Sequence, residues 1–289
     1  MLPEVHLVNH NLNLNQTGGT ELTQSNKMTP GRPRWFSGLK FAIPLDGPKF
    51  KAMSTRENPH PILGQIEAKD FRGFVELGQY TASDVADLLL GRAAKFAQVP
   101  ISGFRVGAFV KGHSGRCYLG ANLEFIGVPL NTSLHAEQSA VINAWMHGEN
   151  GIDSLYVSEK PCGHCLQFLQ EVDRRGSLKL YVEGKAQLLK DFLPEPFFIP
   201  EAQETGLFDR KPQVLYDLKN DEDAMAQRAI NAACASYTPY SESPEGLILE
   251  TIDGAFCTGR TIESAAFNPS VSPVIAALNQ RNLSSQRKA

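Results

Sequence analysis

The chain repeats its own pattern of glycines and prolines at a fixed offset of 139 residues. Without any gap, Pro100, Ser102, Gly107, Gly115, Gly120 and Glu124 fall on Pro239, Ser241, Gly246, Gly254, Gly259 and Glu263. Matched glycines place matched turns and close backbone contacts, so we expect one backbone path to be used twice. The alternative is a chance match between two glycine-rich hairpins.

In the first copy, the spacing of apolar residues predicts alternating helices and strands. A helix is predicted over 81–99 and opens on a capping pair, Thr81 and Asp84. The predicted elements that follow are strands over 103–110 and 116–125, a helix over 135–148, a strand over 154–158, a helix over 162–176 and a strand over 178–184. A hairpin followed by alternating helix and strand indicates an α/β fold with α/β/α layers.

The chain is predicted to have three segments: an irregular N-terminal extension over 1–60, the first copy over 61–190 and the second over 191–289. The second boundary is a linker spaced by prolines, among them Pro194 and Pro212. The extension has no apolar stretch typical of a secretion signal, so we expect a tail or a start at Met53, with a transit peptide as the alternative.

Charge and cysteine content limit the partners and the compartment. A formal net charge of -3, with 20% of residues charged, gives no basic surplus of the kind that nucleic-acid polymers require. No apolar run approaches the roughly 20 residues that cross a bilayer, so no membrane partner is expected. The five cysteines are too few and too scattered for a disulfide framework, which favours a reducing, cytoplasmic location.

Two short motifs in the first copy carry metal chemistry. The stretch "HAEQSA" places His135 and Glu137 at the start of a predicted helix, and "PCGHC" places Cys162 and Cys165 in the first turn of the next. One histidine and two cysteines form a soft ligand set for Zn²⁺ that leaves the fourth position open for water. The order His-Ala-Glu, then Pro-Cys-x-x-Cys, matches the signature of zinc nucleobase deaminases, in which the glutamate is not a ligand.

A redox dithiol is the competing interpretation of Cys162 and Cys165. That interpretation leaves His135 and Glu137 unexplained, and Pro161 stands where disulfide isomerases usually carry an aromatic residue. His164, between the cysteines, is a further candidate ligand, but its side chain would leave the helix in another direction. We therefore expect it to have a structural role beside the metal.

The stretches "SGFRVGAFV", "GANLEF", "HAEQSA" and "PCGHC", with the degenerate second copy, resemble the long, two-copy cytidine deaminases of bacteria and plants. The resemblance covers roughly residues 62–280. It implies a homodimeric, zinc-dependent hydrolase of pyrimidine salvage that converts cytidine and deoxycytidine to uridine and deoxyuridine plus ammonia. It also implies that 61–190 is the catalytic domain, with one Zn²⁺ per chain held by His135, Cys162 and Cys165.

The resemblance further assigns the small-molecule nucleoside to residues of the first copy. Asn122, Leu123 and Glu124 would hold the ribose, and Phe104 would pack on the pyrimidine. Zinc-bound hydroxide would attack C4 while Glu137 shuttles protons. A solvated strand face is the alternative for Asn122 and Glu124, and plain strand core is the alternative for Phe104.

The second copy is expected to be degenerate. At the 139-residue offset, His135 becomes Val274, Glu137 becomes Ala276 and Asn122 becomes Thr261, so no zinc is expected there. Ala289 matches residue 150, so we expect a truncated copy that lacks the last strands and helix. Three alternatives stay open: a polynucleotide deaminase, a deaminase of another small pyrimidine, and a folded but inactive or aggregating protein.

Overall fold

The computed structural model describes residues 64–68, 70, 81–199, 205–209, 211–212, 224–251 and 254–284. All of them belong to one compact unit, Ser54–Ala289. The predicted extension over 1–60 lies outside the described residues. No described helix is both long enough and apolar enough to cross a bilayer.

The described elements follow the chain in two sets, one for each copy. The first copy contains β1 (Gln65–Ile66), α1 (Ala82–Ala94), β2 (Gly107–Gly112), β3 (Cys117–Ala121), α2 (Ala136–Met146), β4 (Ile152–Val157), α3 (Gly163–Leu169), β5 (Lys179–Val182), β6 (Lys185–Leu188) and α4 (Leu189–Phe192). The second contains α5 (Ala224–Cys234), β7 (Gly246–Glu250), β8 (Phe256–Arg260) and α6 (Pro273–Leu283).

Six strands of the first copy form one sheet in the order β1-β3-β2-β4-β5-β6, while β7 and β8 pair separately. Neighbours are antiparallel except β4 and β5, which are parallel and connected through α3. Alternate residues of β2 face opposite sides, as strand geometry requires. Phe109 packs in the cluster with α1, whereas Ala108 and Val110 pack in the cluster with α2 and α3. The predicted α/β/α layering is confirmed.

The predicted capping pair at the start of α1 is present. The Thr81 hydroxyl accepts from the Asp84 amide at 3.2 Å, and the Asp84 carboxylate accepts from the Thr81 amide at 2.8 Å. This reciprocal pair satisfies amides that have no partner inside the helix. Val85 and Leu89, one turn apart, are buried against the sheet, so the apolar stripe decides which face of α1 packs.

Helix α3 is shorter than the helix predicted over 162–176. The Asp173 carboxylate accepts from the Arg175 amide at 3.1 Å and from the Ser177 hydroxyl at 3.0 Å, and Gly176 takes a positive φ of 65°. Aspartate side chains that bond the backbone just ahead favour a turn over a helix.

Strand β6 was not predicted, and it follows β5 through a two-residue turn. Glu183 and Gly184 both have positive φ, 50° and 73°, which is the conformation of a type I′ hairpin turn. The short β1 also lacked a signal in the sequence.

The matched glycines make matched contacts, which confirms the repeated backbone path. A Cβ on Gly107 would lie 2.3 Å from the Leu90 carbonyl oxygen, and a Cβ on Gly246 would lie 2.3 Å from that of Ala229. Leu90 and Ala229 are themselves 139 residues apart. In both copies only glycine allows the strand to approach the preceding helix this closely.

The 139-residue offset fails after β8, and this corrects the predicted counterparts in the second copy. Leu123 pairs with Leu134, and Ile262 pairs with Val271, so the intervening chain is two residues shorter in the second copy. Helices α2 and α6 are therefore related by an offset of 137 residues.

With that offset, the counterpart of His135 is Ser272, not Val274, and the counterpart of Glu137 is Val274, not Ala276. An insertion or deletion inside a loop leaves no trace in a comparison made without gaps. The second copy still has no histidine or glutamate at these two places.

Candidate metal centre

Three side chains from the starts of two helices converge beside the sheet. His135 is the N-cap residue of α2, Cys162 is the N-cap residue of α3, and Cys165 follows in the first turn. His135 Nδ1 lies 3.4 Å from Cys162 Sγ and 3.2 Å from Cys165 Sγ, and the two sulfurs are 3.7 Å apart. In the part of the chain that the structure describes, no other group of three such side chains brings its donor atoms together.

These separations suit a tetrahedral zinc ion. Zn–S bonds of about 2.3 Å and Zn–N bonds of about 2.05 Å place two sulfurs about 3.8 Å apart and a nitrogen about 3.6 Å from each sulfur. The observed distances agree to within about 0.4 Å. The donor set, one imidazole and two thiols, also favours zinc over harder cations such as Mg²⁺ and Ca²⁺, which prefer oxygen ligands.

The surroundings of Cys162 favour the thiolate that a metal needs. Hydrogen bonds from Cys165 and His135 lower the pKa of the Cys162 thiol to about 3. The pKa of Cys165 is raised, because it shares that hydrogen bond and is buried. Zinc binding therefore displaces a proton from this pair.

Glu137 lies beside the ligand atoms but is not part of the group. Its side chain is buried next to Cys165 and His135, and burial raises the pKa of its carboxyl. A buried carboxyl with a raised pKa can release a proton as well as accept one, which is the character of a general acid and base. The predicted role of Glu137 as a proton shuttle that does not bind the metal stays a prediction.

Three of the predicted substrate residues, Asn122, Leu123 and Glu124, lie just after β3 and close to the start of α2. Leu123 is buried and pairs with Leu134 through two backbone hydrogen bonds of 2.8 and 2.9 Å, one residue before His135. This pairing brings residues 122–124 to the start of α2.

The polar side chains in this stretch have partners in the protein. Asn122 accepts from the Val106 amide at 2.9 Å and donates to the Phe104 carbonyl at 2.8 Å. Glu124 accepts from the amides of Ile101 and Ser102 at 2.9 Å each. Both residues follow the end of β3 at Ala121, so neither is on the predicted strand face.

Phe104 precedes β2 and is 55% exposed. The alternative of plain strand core is therefore wrong for this residue. Asn122 holds the backbone of Phe104, whose exposed ring is available for a ligand, and its role in binding stays a prediction.

Gln138, a buried residue in the first turn of α2, was not predicted from the sequence. Its side-chain oxygen accepts from the His135 amide at 3.2 Å and faces His164 Nε2 at 3.3 Å. Its side-chain nitrogen donates to the Pro269 carbonyl of the second copy at 2.9 Å. No pattern within the first copy signals a partner 131 residues away.

The comparisons with known proteins agree with this site. The family model described as "Cytidine and deoxycytidylate deaminase zinc-binding region" matches residues 85–177, and a second model with the same description matches residues 188–289. A cytidine deaminase of Pectobacterium carotovorum is 40% identical over 84% of this chain and 78% of its own length. One from Cronobacter sakazakii is 45% identical over 69% of this chain and 67% of its own length.

Among solved structures, a cytidine deaminase from Mycobacterium tuberculosis is 29% identical and covers 38% of this chain and 93% of its own, with a TM-score of 0.36. The layered fold, the His-Cys-Cys set and the matched models define a zinc-binding deaminase, with Zn²⁺ as its cofactor. The chain belongs to the cytidine deaminase family.

Proposed function

We propose that the protein hydrolyses cytidine and deoxycytidine to uridine and deoxyuridine, with release of ammonia. One observation carries the proposal: His135, Cys162 and Cys165 present a zinc ligand set while the buried Glu137 lies beside them without joining it. The curated relatives named cytidine deaminase support the choice of substrate.

Each side chain of the centre has a separate task in this proposal. His135, Cys162 and Cys165 hold zinc, which, when bound, supplies the Lewis acidity that makes water a nucleophile at neutral pH. Glu137 takes one proton from the attacking water and passes it to N3 of the pyrimidine, then takes the second proton of that oxygen and delivers it to the amine that leaves from C4. Because Glu137 is not a ligand, its oxygens are free to exchange protons.

Substrate recognition is proposed for the loop after β3. Asn122 and Glu124 would contact the ribose, Leu123 would form the buried floor through its pairing with Leu134, and the exposed ring of Phe104 would stack on the base. A smaller substrate without the ribose would lose the contacts to Asn122 and Glu124, and with them the transition-state binding that those contacts supply. Free cytosine should therefore react far more slowly than cytidine.

We also propose that the protein acts in pyrimidine salvage as a homodimer. Exposed apolar side chains in the segment between β3 and α2, Ile126 and Leu130 among them, suit an interface between copies. All five cysteines are free, which fits a reducing cytoplasm.

The direct test incubates purified protein with cytidine and measures uridine, ammonia and bound zinc on the same sample. We expect equal amounts of both products and one zinc per chain. Zinc-loaded protein that leaves cytidine intact would refute the proposed substrate. A Cys162–Cys165 disulfide that turns over in protein without zinc would refute the metal centre.

A further inference from the structure

The ligand helix α2 is held by the second copy through the side chain of Gln138. This side chain is 1% exposed and sits between the His135 amide, His164 and the Pro269 carbonyl. The Pro269 carbonyl only accepts and the His135 amide only donates, so these two partners fix the orientation of the Gln138 amide. Its oxygen then faces His164 Nε2, which must carry the hydrogen.

The Pro269 carbonyl lies in a loop whose position is constrained by several hydrogen bonds. Its loop joins Ile262 to Val271, which pair through backbone hydrogen bonds of 3.0 and 2.7 Å. Within the loop, the Ser270 hydroxyl accepts from the Ser264 amide at 2.9 Å, and the Ser270 amide donates to the Phe267 carbonyl at 2.9 Å. The two-residue deletion of the second copy falls in this loop.

The second copy has no contact equivalent to the one between Gln138 and Pro269. At the offset of 137 residues, the counterpart of Gln138 in α6 is Ile275, which has no polar side chain. The adjacent Ser139 is also bound by the second copy, because its hydroxyl donates to Asn279 at 2.6 Å and its carbonyl accepts from Asn279 at 3.1 Å. The second copy is thus hydrogen-bonded to the first turns of α2, the helix that begins at His135.

We propose that Gln138 is a positioning residue through which the Pro269 carbonyl of the second copy holds His135 and His164 in the geometry that binds zinc. The second copy, which has no zinc ligands of its own, then helps to orient the zinc ligands of the first copy. Partners that orient the ligands of a metal typically change metal affinity by about 10–100-fold when they are removed. The proposal rests on the metal centre described above and not on the identity of the substrate.

The experiment compares Gln138→Met with the matched control Gln167→Met. Gln167 is also a buried glutamine that bridges backbone groups, since it donates to the Phe197 carbonyl at 2.8 Å and accepts from the Phe197 amide at 3.0 Å. Zinc affinity is measured by competition with a chelator, and thermal stability is measured on the same samples. The visible spectrum of the cobalt-substituted protein reports the ligand geometry.

We expect Gln138→Met to weaken zinc affinity by about 10-fold or more and to alter the cobalt spectrum. Gln167→Met should lower the melting temperature but leave the affinity within about 3-fold and the spectrum unchanged. Equal zinc affinities in the two variants would overturn the proposal. Wild-type protein that binds no zinc would overturn both the proposal and the metal centre, whereas loss of cytidine turnover alone would leave the proposal intact.

A second variant decides the matter if Gln138→Met does not fold. His164 is half-buried, and His164→Leu removes its hydrogen bond to Gln138 while leaving the two cysteines in place. We expect zinc to leave this variant faster, by about 3-fold or more, at an unchanged unfolding midpoint of the metal-free protein. An unchanged rate of zinc release would overturn the proposal.

Discussion

The hydroxyl of Tyr237 donates a 2.8 Å hydrogen bond to the Glu171 carboxylate, and this bond joins the second copy to the first. Glu171 follows helix α3 and is 2% exposed. The Tyr240 hydroxyl and the Ala265 amide donate to the same carboxylate, each at 2.8 Å. A charge buried this deeply is tolerated only when donors surround it, so the second copy completes the environment of a first-copy carboxylate.

Tyr237→Phe should lower the free energy of unfolding by about 1.5–3 kcal/mol, because it removes a hydrogen bond to a charged group. Tyr240→Phe acts on the same carboxylate, so the double variant should deviate from additivity by about 0.5 kcal/mol or more. Denaturant unfolding of the four proteins measures the coupling.

Tyr118→Phe is the matched control for the double-mutant cycle of Tyr237→Phe and Tyr240→Phe. Tyr118 is a buried tyrosine that donates to Glu149 at 3.1 Å, so it shares no carboxylate with Tyr237. The effects of Tyr118→Phe and Tyr237→Phe should therefore add. If the changes in unfolding free energy caused by Tyr237→Phe and Tyr240→Phe were also strictly additive, Glu171 would not couple these two tyrosines.

Cys162→Ser should abolish tight zinc binding, because one of three protein ligands is replaced by a poorer donor. Zinc present at about 1,000 times its dissociation constant contributes about 4 kcal/mol of stability, so a strong chelator should lower the melting temperature of the wild type but not of the variant. Metal analysis and thermal melts with and without chelator check both expectations.

Cys234→Ser controls for the loss of a thiol away from the centre. It should keep one zinc per chain and the chelator-dependent melt. A full equivalent of zinc in Cys162→Ser, or two equivalents in the wild type, would contradict the assignment of a single centre in the first copy.

Glu137→Gln should keep zinc and lose at least roughly 100-fold in kcat, because the amide cannot carry protons between water, base and amine. Glu149→Gln is the matched control: Glu149 is another buried carboxylate, bonded to Tyr118 and the Ser114 hydroxyl. That variant should be less stable but keep kcat within a few-fold. Similar losses of kcat in both variants would remove the special role of Glu137.

Features set by local chemistry were predictable from the sequence. The Thr81–Asp84 capping pair and the contacts of Gly107 and Gly246 each follow from a residue type that one geometry requires. The convergence of His135 with Cys162 and Cys165 was also predictable, because metal ligands must meet wherever the chain brings them.

Features that depend on distant partners were not predictable in this way. The correct counterpart of His135, Ser272, depends on a two-residue deletion in a loop, where spacing is free to change. The bond between Gln138 and Pro269 depends on how two copies pack, and a glutamine in a helix carries no sign of its partner. The helix predicted to reach residue 176 could not extend that far, because the Asp173 side chain accepts from the amides of Arg175 and Leu178 in a turn.

Glu124 and Glu263 form the same loop contacts in the two copies. Glu124 accepts from the amides of Ile101 and Ser102, and Glu263 accepts from those of Tyr240 and Ser241 at 3.0 and 3.1 Å. Each carboxylate also accepts from the serine hydroxyl of its loop. Both carboxylates therefore stabilise this loop whether or not a substrate is bound. A role of Glu124 in substrate binding must appear as an effect on kinetics that Glu263 does not share.

Glu124→Gln and Glu263→Gln should therefore lower stability by similar amounts, about 1–2 kcal/mol, because each weakens the same bonds to backbone amides. Only Glu124→Gln should raise KM for cytidine, by about 5-fold or more, since only the first copy has the metal centre beside this loop. KM for free cytosine, which has no ribose, should be unchanged by either substitution. Equal effects of the two variants on cytidine kinetics would assign Glu124 to the loop alone and remove it from the ribose site.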